Sequence, residues 1–212
     1  TLQMLKFYEQ TYKELLAIPV IKGRKTENEK FPGAEYTLSV ELIVDNGKAL
    51  QGATSHSLGQ NFAKSFNIKF LNKQEKTEYV YQNSWGLSTR AIGACIIIHG
   101  DDKGLVLPPK VAENKLVIIP ILFDKNKEEV VKKAREIENE LKEFNPILDD
   151  REEYTPGWKY HEWELNGIPI RIELGPKDLE KEQVVLVTRH DGKKQFIKIK
   201  DLKENIENSL ER

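Results

Sequence analysis

Apolar residues along the chain follow two rhythms, a helical one and a strand one, and the order in which they occur predicts the architecture. Leu2, Leu5, Tyr8, Tyr12 and Leu15 recur at three- and four-residue steps, which predicts a helix with one apolar face that Pro19 brings to an end. Residues 22–33 are polar and punctuated by glycine, as in a loop. Residues 36–44 alternate, with Leu38, Val40 and Leu42 on one face. Asp45-Asn46-Gly47 is a turn signal, after which residues 48–51 can return as the partner strand. Residues 53–66 show no clean period, and residues 79–82 read as a short strand. Residues 88–99 predict a helix rich in small side chains (Ala91, Gly93, Ala94), against which another backbone can pack closely.

The rhythm changes after residues 104–107, a strand run stopped by Pro108-Pro109, and residues 108–114 read as a linker. Residues 116–122 are continuously apolar, as expected of a strand covered on both faces. Asn126 with Glu129 resembles a capping box ahead of a helical stripe of Val130, Ala134, Ile137, Leu141 and Phe144. Thr155 as N-cap, Pro156 at the first helical position and Gly167 past the end frame another helix. Residues 168–174 and 184–189 predict strands, Asp191-Gly192 a turn into residues 195–199, and Asp201 with Glu204 the start of a last helix bearing Leu202, Ile206 and Leu210. That order predicts an α/β domain with a mixed sheet over residues 113–212, preceded by a domain over residues 1–112.

Composition narrows the function classes. Charged residues make up 32% and hydrophobic residues 39% of the 212 positions, a globular balance with apolar runs far too short to cross a bilayer. No membrane partner is therefore expected. Cys95 is the single cysteine, which rules out an internal disulfide and gives too few ligands for a cysteine-based zinc site. With no secretory leader visible, the expected location is the cytoplasm. Residues 1–112 hold 14 Lys/Arg against 11 Asp/Glu, and residues 113–212 hold 19 against 23. A nucleic-acid contact in the acidic second half must therefore come from a local patch. No DNA partner is expected.

Two polar, glycine-containing clusters carry the candidate chemistry of the first half. One runs from Gln51 through Thr54 and His56 to Phe62, the other from Gln82 to Arg90. Both suit the gripping of a small polar ligand, because glycine lets a ligand approach the backbone. Nucleophilic catalysis is not indicated. Ser55 and His56 are sequence neighbours that a strand would point to opposite faces. No phosphate-loop, zinc-protease, dinucleotide or nucleophile-elbow motif is present.

Gly86-Leu-Ser-Thr-Arg90, followed by a small-residue helix, resembles motif 3 of class II aminoacyl-tRNA synthetases. Together the stretches KGRKTENEKFPGAEYT, ALQGATSHSLGQNFAKSF, YQNSWGLSTRAIGA and HGDDKGLVLPPKVA are similar to prolyl-tRNA synthetase of the archaeal and eukaryotic type. YTPGWKYHEWELNGIPIRIELGPKD extends the likeness into the second half, so that it covers nearly the whole chain. The resemblance implies an α+β fold: part of the class II antiparallel-sheet catalytic domain over residues 1–112, then an α/β anticodon-binding domain with a mixed five-stranded sheet over residues 113–212.

The resemblance also implies a reaction, the ATP-dependent attachment of proline to tRNA(Pro) through a prolyl-adenylate. Arg90 takes the place of the catalytic motif 3 arginine at ATP, where a planar, always-charged group can both stack and pair with phosphate. Gln51 and Thr54 match positions at the nucleotide, and His56, Ser84, Trp85 and Gly86 match the wall of the proline pocket. Glu164, Arg171 and Lys177 match positions that read anticodon bases, where a carboxylate can accept from guanine's N–H groups and a basic group can donate to its O6 and N7. Trp158, Tyr160 and Trp163 could stack bases, although helical spacing places at least one in the core. ATP enters as substrate, usually with Mg²⁺. No metal is expected on protein ligands, and the family pairs as a homodimer.

Motifs 1 and 2 of the family have no counterpart here, so the sequence reads as part of a longer synthetase chain that by itself is not expected to form prolyl-adenylate. The alternative reading is a non-catalytic, synthetase-like tRNA-binding paralogue or subunit.

Overall fold

Gly47 takes φ +76°, and the Val44 N–H bonds the Lys48 carbonyl at 3.0 Å, so the turn at residues 45–47 closes a hairpin as its sequence predicts. The computed structural model to which this hairpin belongs describes residues 1–123 and 125–211. The chain divides into two units, Thr1–Ile98 and His99–Arg212.

The first unit opens with helix α1 (Leu2–Gln10), continued by a π-turn over Thr11–Leu15. Leu5, Tyr8 and Tyr12 of the predicted stripe are buried, whereas Leu2 and Leu15 are exposed. The wider π-turn, in which Leu16 N–H reaches the Thr11 carbonyl, explains the loss of Leu15: fewer degrees of rotation per residue carry it off the apolar face. Strands β1 (Ile21–Arg24), β2 (Tyr36–Ile43) and β3 (Ala49–Gly59) follow. Next come α2 (Asn61–Ser65), a small hairpin of β4 (Lys69–Leu71) and β5 (Thr77–Tyr79), β6 (Gln82–Leu87) and α3 (Arg90–His99). The main sheet is antiparallel with order β1-β2-β3-β6.

Three local expectations fail in this unit, each for lack of an apolar rhythm. Strand β1 lies inside the expected loop because all four of its residues are exposed. Strand β3 runs on to Gly59 through residues too small and polar to show a period. The short strand expected at residues 79–82 is instead split, with Tyr79 ending β5, residues 80–81 forming the break and Gln82 opening β6. Both polar clusters thus form strands themselves. The core joins Leu5, Tyr8 and Tyr12 to Leu38, Val40 and Leu42 of β2 and to Ala91, Ala94 and Cys95 of α3.

The second unit is a five-stranded mixed sheet, as expected. Its strands are β7 (Leu116–Pro120), β8 (Ile147–Leu148), β9 (Ile170–Leu174), β10 (Gln183–Thr188) and β11 (Lys194–Lys198), in the order β11-β10-β9-β7-β8. Strand β7 is parallel to β8 and β9, whereas β10 is antiparallel to β9 and β11. The helices are α4 (Lys127–Glu140), α5 (Pro156–Leu165), the unpredicted short α6 (Pro176–Glu180), and α7 (Leu202–Leu210).

One face of this sheet packs Leu116, Ile118, Ile170, Ile172 and Leu174 against α4 and α7. The other packs Val117, Ile119 and Ile168 against Tyr160 and Trp163 of α5. Asn126 precedes α4 but makes no side-chain cap bond, so the expected capping box does not form. The helix persists because a cap contributes about 1 kcal/mol, while burying each Val, Ile or Leu of the stripe contributes roughly 1.5–3 kcal/mol. Thr155 does cap α5, accepting from Trp158 N–H at 3.3 Å.

The division at Ile98/His99 precedes the expected linker at residues 108–114. Leu105 N–H bonds the Leu165 carbonyl at 3.0 Å and Leu107 N–H the Gly167 carbonyl at 3.2 Å, fastening this segment to the end of α5. Gly104 immediately precedes them at φ +130°, where an added Cβ would fall 2.6 Å from Leu165 Cα. Only glycine fits there.

Candidate functional site

In the first unit, a bulge decides which side chains share a face. Strand β3 pairs with β2 through Glu41↔Gln51 and then Val40↔Ala53, which leaves Gly52 unpaired. Without that extra residue, Gln51 and Thr54 would point to opposite sides of the sheet. With it, Gln51, Thr54 and His56 line up with Glu41, Ser39 and Thr37. Across the next pairing, Thr54 stands opposite Gly86 and His56 opposite Ser84. Five of the predicted residues are thereby gathered on one face. Arg90, at the start of α3, reaches the same strand by donating from one terminal guanidinium nitrogen to the Gln51 backbone carbonyl at 3.2 Å. Gln51, Thr54 and His56 are half-buried, and Ser84, Gly86 and Arg90 are exposed, so the face is open to a ligand.

Trp85 does not belong to this face. It pairs with Ser55, which pairs with Leu38 of the core side, so its indole stands on the opposite surface of the sheet. The sequence places it in a polar cluster, but strand alternation separates it from Ser84 and Gly86.

His56 is held by neighbours the sequence did not single out. Its Nδ1 lies 2.9 Å from the Thr37 hydroxyl, which accepts from Phe31 N–H at 3.0 Å. The Phe31 ring packs 5.0 Å from the imidazole. Burial lowers the His56 pKa below its ordinary value, which favours the neutral ring. Cys95 is buried in the core, where burial pushes its thiol up, away from a reactive thiolate. Among the described residues, no three His, Cys, Asp or Glu side chains gather into a group able to hold a metal ion, and no helix is long and apolar enough to cross a membrane.

The second unit has a cleft of about 180 Å³, walled by Asp101, Trp163, Glu164, Arg171, Thr188 and Arg189, among others. Glu164 stands near the end of α5, and Arg171 projects from β9 on the α5 side of the sheet. The Arg171 guanidinium donates through one terminal nitrogen to Glu164 Oε1 at 3.1 Å and through Nε to Glu173 Oε1 at 2.9 Å, and it lies 4.3 Å from the Tyr160 ring centre. Two of the predicted readers are therefore in contact. The third, Lys177, is exposed on α6 and is not part of the cleft wall. The sequence places it in a loop, but Pro176 starts a helix there, and Asp178 caps that helix by accepting from Gly175 N–H at 3.1 Å.

Arg189 secures the Glu164 end of the cleft. It donates from Nε to the Glu164 carbonyl at 2.9 Å, and from its two terminal nitrogens to both Asp101 oxygens at 2.7 and 2.6 Å. Arg189 holds the Asp101 carboxyl well below the usual carboxylate range. A second network lies beneath α5. Asp149 accepts from Arg151 Nε and from a terminal Arg151 nitrogen, both at 2.8 Å, and from Trp163 Nε1 at 2.8 Å, while the buried Lys159 amine donates to its carbonyl at 2.9 Å. Tyr160 and Trp163 are thus packing residues. Trp158 is the exposed one, stacked on Tyr154 with ring centres 3.9 Å apart.

Of the residues missed from sequence, Glu173 left a visible trace. Arg171 and Glu173 alternate with Ile170, Ile172 and Leu174 in a strand covered on both sides, which marks them as charges buried together.

Residues 115–209 match the family model described as "Anticodon binding domain". Residues 115–209 of the second unit, its five-stranded sheet and helices included, thus form an anticodon-binding domain. Over 211 residues, 99% of its length, the whole chain is 50% identical to a proline–tRNA ligase of Natranaerobius thermophilus and to one of Ruminiclostridium cellulolyticum, covering 44% of each. It is likewise 50% identical over 211 residues to proline–tRNA ligase 2 of Bacillus cereus, again covering 44% of that protein. The chain is thus similar along its whole length to proline–tRNA ligases, and it spans less than half the length of these curated relatives.

Proposed function

We infer that the chain takes part in the ATP-dependent joining of proline to tRNA(Pro). The observation that carries this reading is the contact of Glu164 with Arg171 in the cleft of the anticodon-binding domain. A carboxylate and a guanidinium presented together offer the acceptor and donors that a guanine edge requires. Unpaired loop bases, with their edges free, are the part of RNA that side chains read most directly. Lys177, exposed on α6, supplies a charge for the flanking RNA.

The open face of the first unit is the nucleotide and proline side of the same function. Arg90 binds the ATP phosphates and adenine, and Gln51 and Thr54 line the nucleotide. His56, Ser84 and Gly86 bound the proline. In the reaction, the proline carboxylate oxygen attacks the α-phosphorus, the bond to the leaving pyrophosphate breaks, and the terminal ribose hydroxyl of the tRNA then takes the prolyl group from AMP. Positioning and charge stabilisation suffice for both steps. Mg²⁺ would come bound to the ATP phosphates, and no step is assigned to it. The cytoplasm as location and pairing of two copies belong to the same reading and rest on the family likeness.

Binding of tRNA(Pro) by Glu164→Ala and Arg171→Ala chains tests the proposal. Each substitution is expected to weaken binding by about tenfold. Unchanged affinity in both would refute the assignment of the cleft.

A further inference from the structure

The geometry points to Glu173 as a positioning residue that sets the specificity of the cleft by holding the Arg171 guanidinium in one plane. This inference rests on the anticodon reading above. Glu173 does not line the cleft, and its side chain is 8% exposed against 18% for Glu164. It therefore has no access to RNA and acts only through its partners.

Arg171 and Glu173 are two residues apart on β9 and so project from the same face. That face lies under α5, where Tyr160 packs. Three contacts then fix the guanidinium: Glu173 on Nε, Glu164 on a terminal nitrogen, and the Tyr160 ring against its face. A guanidinium carries five N–H donors in a rigid plane. The bond from Nε on the inner edge leaves the terminal donors directed toward Glu164 and the cleft. Without Glu173, Arg171 would keep its charge but not a single orientation. Charge would still attract RNA, while a fixed plane is what distinguishes one base edge from another.

The electrostatics agree with this division of labour. One buried arginine facing two carboxylates leaves an excess negative charge, and Lys194 offsets it at 3.8 Å from Glu173. Burial, reinforced by the Glu173 carboxylate, pushes the Tyr160 phenol above its usual range. The reading pair can then approach RNA without a net repulsive charge.

The test compares the affinities of the 212-residue chain for tRNA(Pro) and for the same tRNA with its anticodon guanosines replaced by adenosine. The ratio is measured for the parent, Glu173→Gln, Arg171→Ala and the double variant, with thermal unfolding of each. The expected result is that Glu173→Gln lowers the ratio by about tenfold while binding to the altered tRNA changes little. Adding it to Arg171→Ala should produce no further loss, because the two act as one unit. A purely structural role would lower the unfolding temperature and leave the ratio intact. If Arg171→Ala loses discrimination and Glu173→Gln keeps it, the inference is overturned and the anticodon reading survives. If Arg171→Ala keeps discrimination, the reading itself fails, and the inference with it. Should Glu173→Gln not fold, Glu173→Asp, which draws the carboxylate back by one methylene, takes its place under the same outcomes.

Discussion

Tyr12 donates its hydroxyl to the Gly52 carbonyl at 3.1 Å, and its ring occupies the space a side chain at residue 52 would need. An added Cβ there would lie 2.8 Å from Tyr12 Cζ. This contact holds the bulge that turns Gln51, Thr54 and His56 onto one face, so a residue in the first helical segment shapes a ligand-facing strand. Gly52→Ala is expected to destabilise the first unit by about 1–3 kcal/mol through overpacking. Tyr12→Phe, which removes only the hydroxyl, should cost about 1 kcal/mol. Equilibrium unfolding in urea measures both. A Gly52→Ala chain as stable as the parent would show that the ring does not constrain the bulge.

The Asp149 network predicts an acid dependence. Burial would raise this carboxyl, but the hydrogen bonds from Arg151 and Trp163 and the charge of Lys159 bring it from 3.8 to about 2. A carboxyl whose pKa is lower in the folded state stabilises the fold above its unfolded pKa and loses that effect as protons bind. Stability should therefore fall as pH drops from about 4 to about 2, by roughly 2 kcal/mol from this group. Asp149→Asn should be less stable than the parent at neutral pH and lose less over that interval. Parallel pH profiles for the two chains would contradict the network's role.

Asp101 and Arg189 predict a local effect. With Asp101→Asn, Arg189 loses a charged partner, and the segment fastened to the end of α5 loosens. Hydrogen exchange should quicken at the Leu105 and Leu107 amides, which bond Leu165 and Gly167, while the Val130 amide in α4 should be unaffected. Unchanged exchange at Leu105 and Leu107 would mean that the ion pair does not secure the segment.

How far the sequence revealed these features depended on whether a residue's role was local. The second unit was more legible, because β7, β9 and β10 are buried on both faces and α4 and α7 carry regular stripes, whereas the two-residue β8 and the short α6 left no pattern. Its mixed five-stranded sheet and the Thr155 cap emerged as expected. The first unit was less legible: β1 is wholly exposed and β3 is small and polar, so neither shows a period. Gln51, Thr54, His56 and Arg90 could be marked as candidates by their motifs, yet their common face depends on a bulge at Gly52 that only the pairing with β2 reveals. The same alternation removes Trp85. Arg189 and Asp101 meet across 88 positions of sequence, a separation at which no spacing rule operates.

The central claim is that the second unit reads the guanosines of a proline anticodon, and its most direct test is binding of the unmodified chain at one fixed salt concentration. The affinity for tRNA(Pro) is compared with that for the same tRNA carrying adenosine in place of those guanosines. The account predicts a loss of about tenfold or more. Equal affinity for the two RNAs would contradict it.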